Sequence, residues 1–163
     1  MKFTGERLIP AEIPETDGLF REHMERYLFA MKYVKEGDTM LDVACGTGYG
    51  TYCLSSKTEK VYGVDISSEA IEYAKGHYGK KNIVFVEGEA AKLDFPDNFF
   101  DVVCSFETIE HLSESEEFLQ EIKRVLKPGG ILVISTPNRE TYPGGKSPSA
   151  FHKREFSLSE ILG

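Results

Sequence analysis

Residues 39–50 read TMLDVACGTGYG, and this stretch decides the fold. The apolar run at its start predicts a buried strand, and three closely spaced glycines, Gly46, Gly48 and Gly50, predict a tight loop. A short helix through Cys53 and Leu54 follows the loop. A glycine loop that leads from a strand into a helix lets the backbone approach a ligand and offers free N–H groups to an anion. The stretch therefore predicts a cofactor site.

Apolar runs and helical patterns alternate along the rest of the chain. Strands bounded by amphipathic helices indicate a parallel sheet covered on both faces, and hence a doubly wound α/β fold. The predicted strands are 39–44, 60–65, 82–88, 100–106 and 130–136. Ligands of such sheets bind beyond the carboxyl ends of the strands, so the residues at those ends are the candidate ligand contacts.

Helix boundaries can also be predicted. Asp17 is a candidate N-cap for a first helix that Gly37 would end, and Ser67 is a candidate N-cap for the helix after the second strand. A later helix carries Phe118, Leu119, Ile122, Val125 and Leu126 on one predicted face and stops at the turn signature of residues 127–130.

Length and composition predict one domain. The chain has 163 residues, 40% of them hydrophobic and 28% charged, as in an ordinary globular protein. We divide it into an N-terminal arm and cap helix (1–37), a core (38–138) and a C-terminal segment (139–163). The net charge of −8 and the lack of a dense basic stripe argue against nucleic acid as a partner. No apolar stretch reaches the roughly 20 residues of a membrane helix, and we expect a cytoplasmic protein.

The three cysteines, Cys45, Cys53 and Cys104, form no CxxC pair. Cys45 and Cys104 lie in or beside apolar runs and are expected to be buried small hydrophobes. No histidines and cysteines show metal-ligand spacing, so the sequence predicts no metal.

Two features of the loop separate the candidate cofactors. The dinucleotide fingerprint is GxGxxG, whereas here the third glycine comes one place early. Asp42 lies inside the first strand, where a carboxylate would be poorly placed beside a negatively charged pyrophosphate. It is well placed near the ammonium group of a methionine moiety, which it could bind directly or by ordering the loop. Its alternative role is a buried ion pair.

Asp65 ends the second strand, and a carboxylate there can accept hydrogen bonds from both hydroxyls of a ribose. Ile66 beside it could pack on an adenine ring. Asp65 could instead cap the following helix. Asp42 and Asp65 together, in phase with the glycine loop, favour S-adenosylmethionine.

The motif order resembles that of the class I S-adenosylmethionine-dependent methyltransferases. The similar segments are LDVACGTGYG, VYGVDIS, FVEGEAAKLDFPDNFFDVVCSFETIEHL and EIKRVLKPGGILVISTPN. The resemblance implies that Asp42, Gly46 and Gly48 line the methionine end, that Asp65 holds the ribose, and that Ser105 and Phe106 lie under the sulfonium. The candidate cofactor-binding residues are Tyr27, Asp42, Ala44, Cys45, Gly46, Thr47, Gly48, Asp65, Ile66, Glu89, Ala90, Ser105 and Phe106.

The resemblance also implies a strand order of 3-2-1-4-5. The family's sheet usually ends in an antiparallel hairpin, which we expect to be missing here. The segments FTGERLIP, HMERYLFA, SFETIEHL and STPN look like those of methyltransferases of sugar and cell-surface polysaccharide synthesis, and more loosely like quinone O-methyltransferases.

Candidate catalytic residues follow the fourth strand. His111 is the candidate base that takes the proton of a small-molecule or sugar hydroxyl, and Glu107 is its orienting or substrate-binding partner. The alternative places His111 on the surface of one helical turn. His23 and His152 are expected to be surface or structural residues. Asn138 could contact the acceptor.

Two other functions fit parts of the sequence. The chain could be an inactive cofactor-binding domain that pairs with another subunit, or an NAD-dependent reductase, which the loop spacing disfavours. Finally, the apolar fifth strand lies at one end of the predicted order without charge or proline to protect it. We expect a homodimer through this edge, near Phe151 and Phe156.

Overall fold

A computed structural model describes residues 18–141 and 151–162. The sheet has five parallel strands in the order β3-β2-β1-β4-β5, so the doubly wound fold and strand order are confirmed. The strands are β1 (Thr39–Val43), β2 (Lys60–Asp65), β3 (Ile83–Glu87), β4 (Phe100–Phe106) and β5 (Leu126–Ser135).

Within residues 18–141 and 151–162, the α-helices are α1 (Gly18–Ala30), α2 (Tyr49–Leu54), α3 (Ser68–Tyr78), α4 (Ser115–Val125) and α5 (Leu158–Leu162). The first helix ends earlier than Gly37, because a 3₁₀ turn over Met31–Tyr33 follows Ala30 directly. Gly37 instead takes a positive φ of 90° in the next turn. The Ser67 cap is confirmed, since its hydroxyl accepts from the Ala70 N–H at 3.3 Å. Asp17 lies outside the described residues.

The two faces of the sheet bury separate cores. Met40, Val61 and Cys104 point to the face covered by α1, α2 and α3, whereas Leu41 and Val103 point to the face covered by α4. Successive residues of a strand point to opposite faces, which is why the strands are apolar throughout.

Helix α4 ends at Val125, before the predicted stop at residues 127–130, and these residues belong to strand β5 rather than to a turn. Phe118, Ile122 and Val125 are buried, while Leu119 is exposed. Strand β5 begins at Leu126 rather than at residue 130, because Leu126 pairs with Phe100 before an irregularity in the ladder.

The C-terminal segment packs back onto the domain. Phe156 is buried and forms a parallel bridge with Asn138. Helix α5 starts with a capping box: the Ser157 N–H donates to Glu160 Oε2 at 2.8 Å, and the Glu160 N–H donates to Ser157 Oγ at 3.3 Å. Among the described residues, no helix has the length and apolar character needed to cross a membrane.

Candidate functional site

A cavity of about 410 Å³ opens at the carboxyl ends of the strands. Strand β1 lies between β2 and β4, so the chain connections diverge at this point and leave a crevice. The lining residues come from α1, the loops after β1, β2, β3 and β4, and the C-terminal segment: His23, Tyr27, Ala44, Cys45, Gly46, Thr47, Tyr49, Val64, Asp65, Ile66, Gly88, Ala90, Phe106, Glu107, Thr108, His111, Leu112 and Phe151.

Asp65 links the loops after β1 and β2. One carboxylate oxygen accepts from the Gly46 N–H at 2.9 Å, and the other accepts from the Ser67 N–H at 2.9 Å. The side chain is buried at the cavity wall, next to Ile66, which is 67% exposed. A carboxylate held by two backbone donors has a fixed position, and the apolar side chain beside it offers a surface for a flat apolar group.

Asp42 is buried behind the loop. Its carboxylate accepts from Thr51 Oγ1 at 2.6 Å and from Cys104 Sγ at 3.4 Å. Burial raises the pKa of Asp42 to about 7, although these donors oppose the shift. No basic group forms an ion pair with it among the described residues, so Asp42 orders the loop through α2.

The three glycines of the loop differ in what a side chain at each position would contact. Gly46 has a φ of 55°, and no atom lies within 4 Å of a Cβ placed there. Gly48 also has a positive φ, but its Cβ would come within 2.6 Å of Ala74. A Cβ on Gly50 would lie 1.9 Å from the Tyr27 ring. Gly46 therefore faces the cavity, whereas Gly48 and Gly50 allow α3 and α1 to pack closely.

Helix α1 closes one side of the cavity with aromatic side chains. The Tyr27 ring packs edge-on against Phe106, with centroids 5.0 Å apart, and against Tyr49 at 5.8 Å. His23 Nδ1 hydrogen-bonds to the Tyr49 hydroxyl at 3.0 Å. Burial, followed by the nearby Arg26 charge, lowers the pKa of His23.

Two non-glycine residues of the cavity wall have left-handed backbone. Ala44 follows β1 with a φ of 61°, and Glu107 follows β4 with a φ of 51°. Such conformations cost energy and concentrate at functional sites. The Glu107 carboxylate accepts from Ser135 Oγ at 2.8 Å and lies 3.6 Å from Arg26 Nη2. Its position is therefore set by β5 and α1.

His111 lines the cavity from the segment that follows β4. It lies on a 3₁₀ turn (Ile109–His111) and is partly exposed, with Nδ1 3.2 Å from the Phe151 carbonyl oxygen. Glu110 on the same turn is fully buried, and burial raises its pKa. His152 contacts the His111 ring at a centroid distance of 5.1 Å.

The cavity brings together most of the residues predicted from the sequence. Tyr27, Ala44, Cys45, Gly46, Thr47, Asp65, Ile66, Ala90, Phe106, Glu107 and His111 all line it. Asp42, Gly48, Glu89 and Ser105 are described residues that do not.

Ser105 and Glu89 were expected to contact the cofactor. Ser105 is fully buried, because its hydroxyl donates to the Val43 carbonyl at 3.2 Å and so joins β4 to β1. Glu89 is exposed in a small turn closed by Lys92. Asn138 bonds within its own turn, accepting from the Glu140 N–H at 3.0 Å.

Three residues of this region were not predicted as site residues: His23, Glu110 and His152. His23 lines the cavity, and Glu110 and His152 lie close enough to the predicted His111 for the three to share a cation. The signal for His23 was its place on the same helix as Tyr27, four residues earlier. His152 gave no signal, because its partners are about 40 residues away in the sequence.

Comparison with protein families gives a match over residues 41–134. The matching family is described as "Methyltransferase domain". The match runs from β1 to the end of β5 and covers more than half of the chain.

Curated relatives extend the match to almost the whole chain. A protein of Mycolicibacterium smegmatis named "Probable S-adenosylmethionine-dependent methyltransferase" is 36% identical over 99% of this chain, and a similarly named protein of Mycobacterium tuberculosis is 34% identical. The chain spans 62% and 58% of these two relatives. A demethylmenaquinone methyltransferase of Staphylococcus aureus is 36% identical over 73% of this chain, which covers 51% of it.

Solved structures show the same fold. PH0226 from Pyrococcus horikoshii is 32% identical with a TM-score of 0.66, over 78% of this chain and 62% of that one. The [4+2]-cyclase SpnF has a TM-score of 0.77 over 93% of this chain and 59% of that one, at 23% identity. The second likeness concerns the fold alone.

Proposed function

This chain belongs to the S-adenosylmethionine-dependent methyltransferase family, and on that premise we propose that its cavity binds S-adenosylmethionine and directs the methyl group to an acceptor hydroxyl. The observation that carries the proposal is the position of Asp65. Its carboxylate lies at the cavity wall, bonded to Gly46 of the glycine loop.

The residues present fit this cofactor. A volume of about 410 Å³ is in the range of pockets that enclose a small ligand. Asp65 would hold the ribose hydroxyls, and Ile66 and Ala90 would flank the adenine ring. Gly46, with no Cβ to obstruct the loop, would lie against the methionine moiety, together with Ala44, Cys45 and Thr47. Asp42 supports that end indirectly, through Thr51.

The acceptor end of the cavity lies at Phe106, Glu107 and His111. When bound, the sulfonium supplies an already activated methyl group, so the protein has to align the acceptor and exclude water. Tyr27 and Phe106 form an apolar wall against water at this point. Glu107, fixed by Ser135, is placed to orient the acceptor.

His111 can take the acceptor proton. A carbonyl oxygen only accepts hydrogen bonds, so the Nδ1–H of His111 would donate to Phe151 and hold the ring at the cavity wall. Histidine is the side chain that most often serves as a general base.

The acceptor class is a small molecule or a sugar. Quinone rings also belong to the range, since one relative is named for demethylmenaquinone. The net charge of −8 argues against nucleic acid. The cytoplasmic location and the single-domain organisation stay predictions.

Titration calorimetry with S-adenosylhomocysteine tests the cofactor, with NADH as the negative comparison. Transfer of a labelled methyl group to a panel of hydroxylated acceptors tests the reaction. Binding without turnover on any acceptor would favour the second candidate, a cofactor-binding domain that works with another protein. That candidate has one supporting observation, which comes from a structural neighbour. A structural neighbour from Haloferax volcanii is itself bound to the Trm112 methyltransferase activator.

A further inference from the structure

The carboxylate of Glu110 has an unusual environment. Oε2 accepts from Thr136 Oγ1 at 2.9 Å, but Oε1 is buried and has no hydrogen-bond partner among the described residues. The side chain is only 1% exposed. A buried carboxylate oxygen without a partner is costly, so its retention indicates a positively charged ligand or a proton.

Two histidines are arranged around this oxygen. His111 Nε2 lies 4.0 Å from Glu110 Oε1. His152 stands edge-on to His111, and one potential ligand atom from each of the three residues lies within 4.8 Å of the others. His152 Nδ1 lies 3.3 Å from Glu155 Oε1 and is the proton donor in that contact. Each ring thus offers one nitrogen within 4.8 Å of the Glu110 carboxylate, and a second ring nitrogen that contacts an oxygen is typical of histidines that bind metals.

Backbone hydrogen bonds bring His152 to the other two residues. The N–H groups of Lys153 and Arg154 both donate to the Glu110 carbonyl oxygen, at 2.8 and 3.2 Å. Lys153 Nζ also donates to Ser113 Oγ at 2.7 Å. The segment after residue 150 is thus fixed to the 3₁₀ turn independently of the imidazoles.

We propose that Glu110, His111 and His152 bind a divalent transition-metal ion, with Zn²⁺ as the best-matched species. Two imidazole nitrogens and one carboxylate oxygen are a ligand set that Zn²⁺ accepts, whereas Mg²⁺ and Ca²⁺ prefer oxygen ligands throughout. Ligands about 2.0–2.1 Å from a tetrahedral ion are roughly 3.3 Å apart, so the ligand atoms need to approach one another by up to about 1.5 Å.

The ion would leave a coordination position open towards the cavity. His111 and Phe151 line the cavity wall, and the ion would lie just behind them. There it would polarise an acceptor oxygen and lower the pKa of its proton. This catalytic role of the ion rests on the proposed methyl transfer, and in it His111 is a metal ligand in place of the base. Binding of the ion depends neither on methyl transfer nor on which of these roles His111 has.

The test is calorimetric titration of the whole chain with Zn²⁺, supported by the visible spectrum of bound Co²⁺. Cys53, the one cysteine that is not buried, is replaced by serine throughout so that a thiol does not compete. We expect one equivalent to bind, without thiolate charge-transfer bands. Glu110→Gln and His152→Ala should each weaken the affinity at least about tenfold, and Glu155→Gln, which orients His152, by about tenfold.

His77→Ala is the matched control, because His77 is exposed on α3 and bonds only to its own helix in the described contacts. It should bind Zn²⁺ as the parent does. Thermal melts and S-adenosylhomocysteine titration of every variant show whether the fold and the cofactor site persist. Equal Zn²⁺ affinity for the parent and for folded Glu110→Gln and His152→Ala variants would overturn the proposal and assign a proton to Glu110. Normal S-adenosylhomocysteine binding in those variants would leave the cofactor proposal standing whichever way the metal result falls.

Discussion

Thr51 Oγ1 donates a 2.6 Å hydrogen bond to the buried carboxylate of Asp42, and this bond joins β1 to α2 across the glycine loop. The loop is therefore braced from behind by one side-chain pair, while Asp65 holds it from the cavity side through Gly46. The two acids that the sequence singled out act on the same loop from opposite sides.

The raised pKa of Asp42 predicts a pH-dependent stability. Its pKa is about 7 in the folded chain and 3.8 as a reference, so folding favours the protonated acid. The stabilisation from this group is complete below about pH 4 and is lost as the pH rises through 7. Asp42→Asn removes the effect, so its stability relative to the parent should improve by about 2 kcal/mol between pH 5 and pH 8. Urea unfolding at both pH values measures the difference. The exposed Asp94→Asn should show no such change, and a pH-independent Asp42→Asn difference would contradict the assignment.

Replacing Asp65 should weaken cofactor binding. Asp65→Ala loses two hydrogen bonds to a charged acceptor, and we expect S-adenosylhomocysteine affinity to fall at least about tenfold by calorimetry. Asp65→Asn keeps the shape and should lie between alanine and the parent. Glu116→Gln removes a charge on the exposed first turn of α4 and serves as the control. Unchanged affinity in a folded Asp65→Ala chain would remove Asp65 from the site.

The close approach of α1 to the loop can be tested at Gly50. Alanine normally stabilises a helix relative to glycine by roughly 0.5–1 kcal/mol. At Gly50 the added Cβ would lie 1.9 Å from the Tyr27 ring, so we expect a net loss of about 1–3 kcal/mol. At Gly76 on α3 no atom lies within 4 Å, and alanine should stabilise. Chemical unfolding of both variants gives the comparison. A stabilised Gly50→Ala chain would mean that α1 does not pack as described.

His111 should be needed for turnover but not for cofactor binding. Once an acceptor is found, His111→Ala is expected to lower kcat by roughly 10²–10⁴. S-adenosylhomocysteine affinity should stay near that of the parent, because His111 lies at the acceptor end. His77→Ala keeps both properties. A normal kcat for His111→Ala would show that His111 is not the base and would favour the alternative, a surface polar residue.

The parallel sheet and the position of the cavity could be predicted because they depend on local signals, whereas the strand order was implied by the family resemblance. Apolar runs and glycine turns mark the strands, and the handedness of the connections then limits the topology. Asp65 and Ile66 follow from the same logic, since they end a strand next to the glycine loop.

The remaining parts of the site depend on packing between distant segments. Ser105 lies near the end of β4, but its hydroxyl donates to the Val43 carbonyl and its side chain does not line the cavity. Glu110 has no distinguishing signal in the sequence, although in the structure it bonds to Thr136 and to the backbone of residues after 150. No periodicity records such contacts, so the cluster with His152 becomes visible only in three dimensions.

The last prediction concerns the edge of the sheet. Among the described residues, β5 forms its ladder with β4 alone, and the homodimer through its other edge stays a prediction. The dimer surface needs revision, because Phe156 is already buried within the chain and Phe151 lines the cavity. Val133 is also buried, so a lysine there would disrupt the core rather than the edge.

Backbone geometry provides a sharper variant. The Ser135 carbonyl accepts from the Glu107 N–H, so Ser135 and, by alternation, Val133 direct their backbone groups to β4. Leu132 and Ile134 direct theirs outwards. Leu132→Pro therefore removes an outward N–H and keeps the β4 ladder, whereas Val133→Pro removes a ladder bond. If two chains pair through this edge, light scattering at micromolar concentration should show a dimer for the parent and a folded monomer for Leu132→Pro, with Val133→Pro destabilised. A parent chain that stays monomeric over the accessible concentration range would exclude the dimer, and the edge would then have to be shielded within the chain.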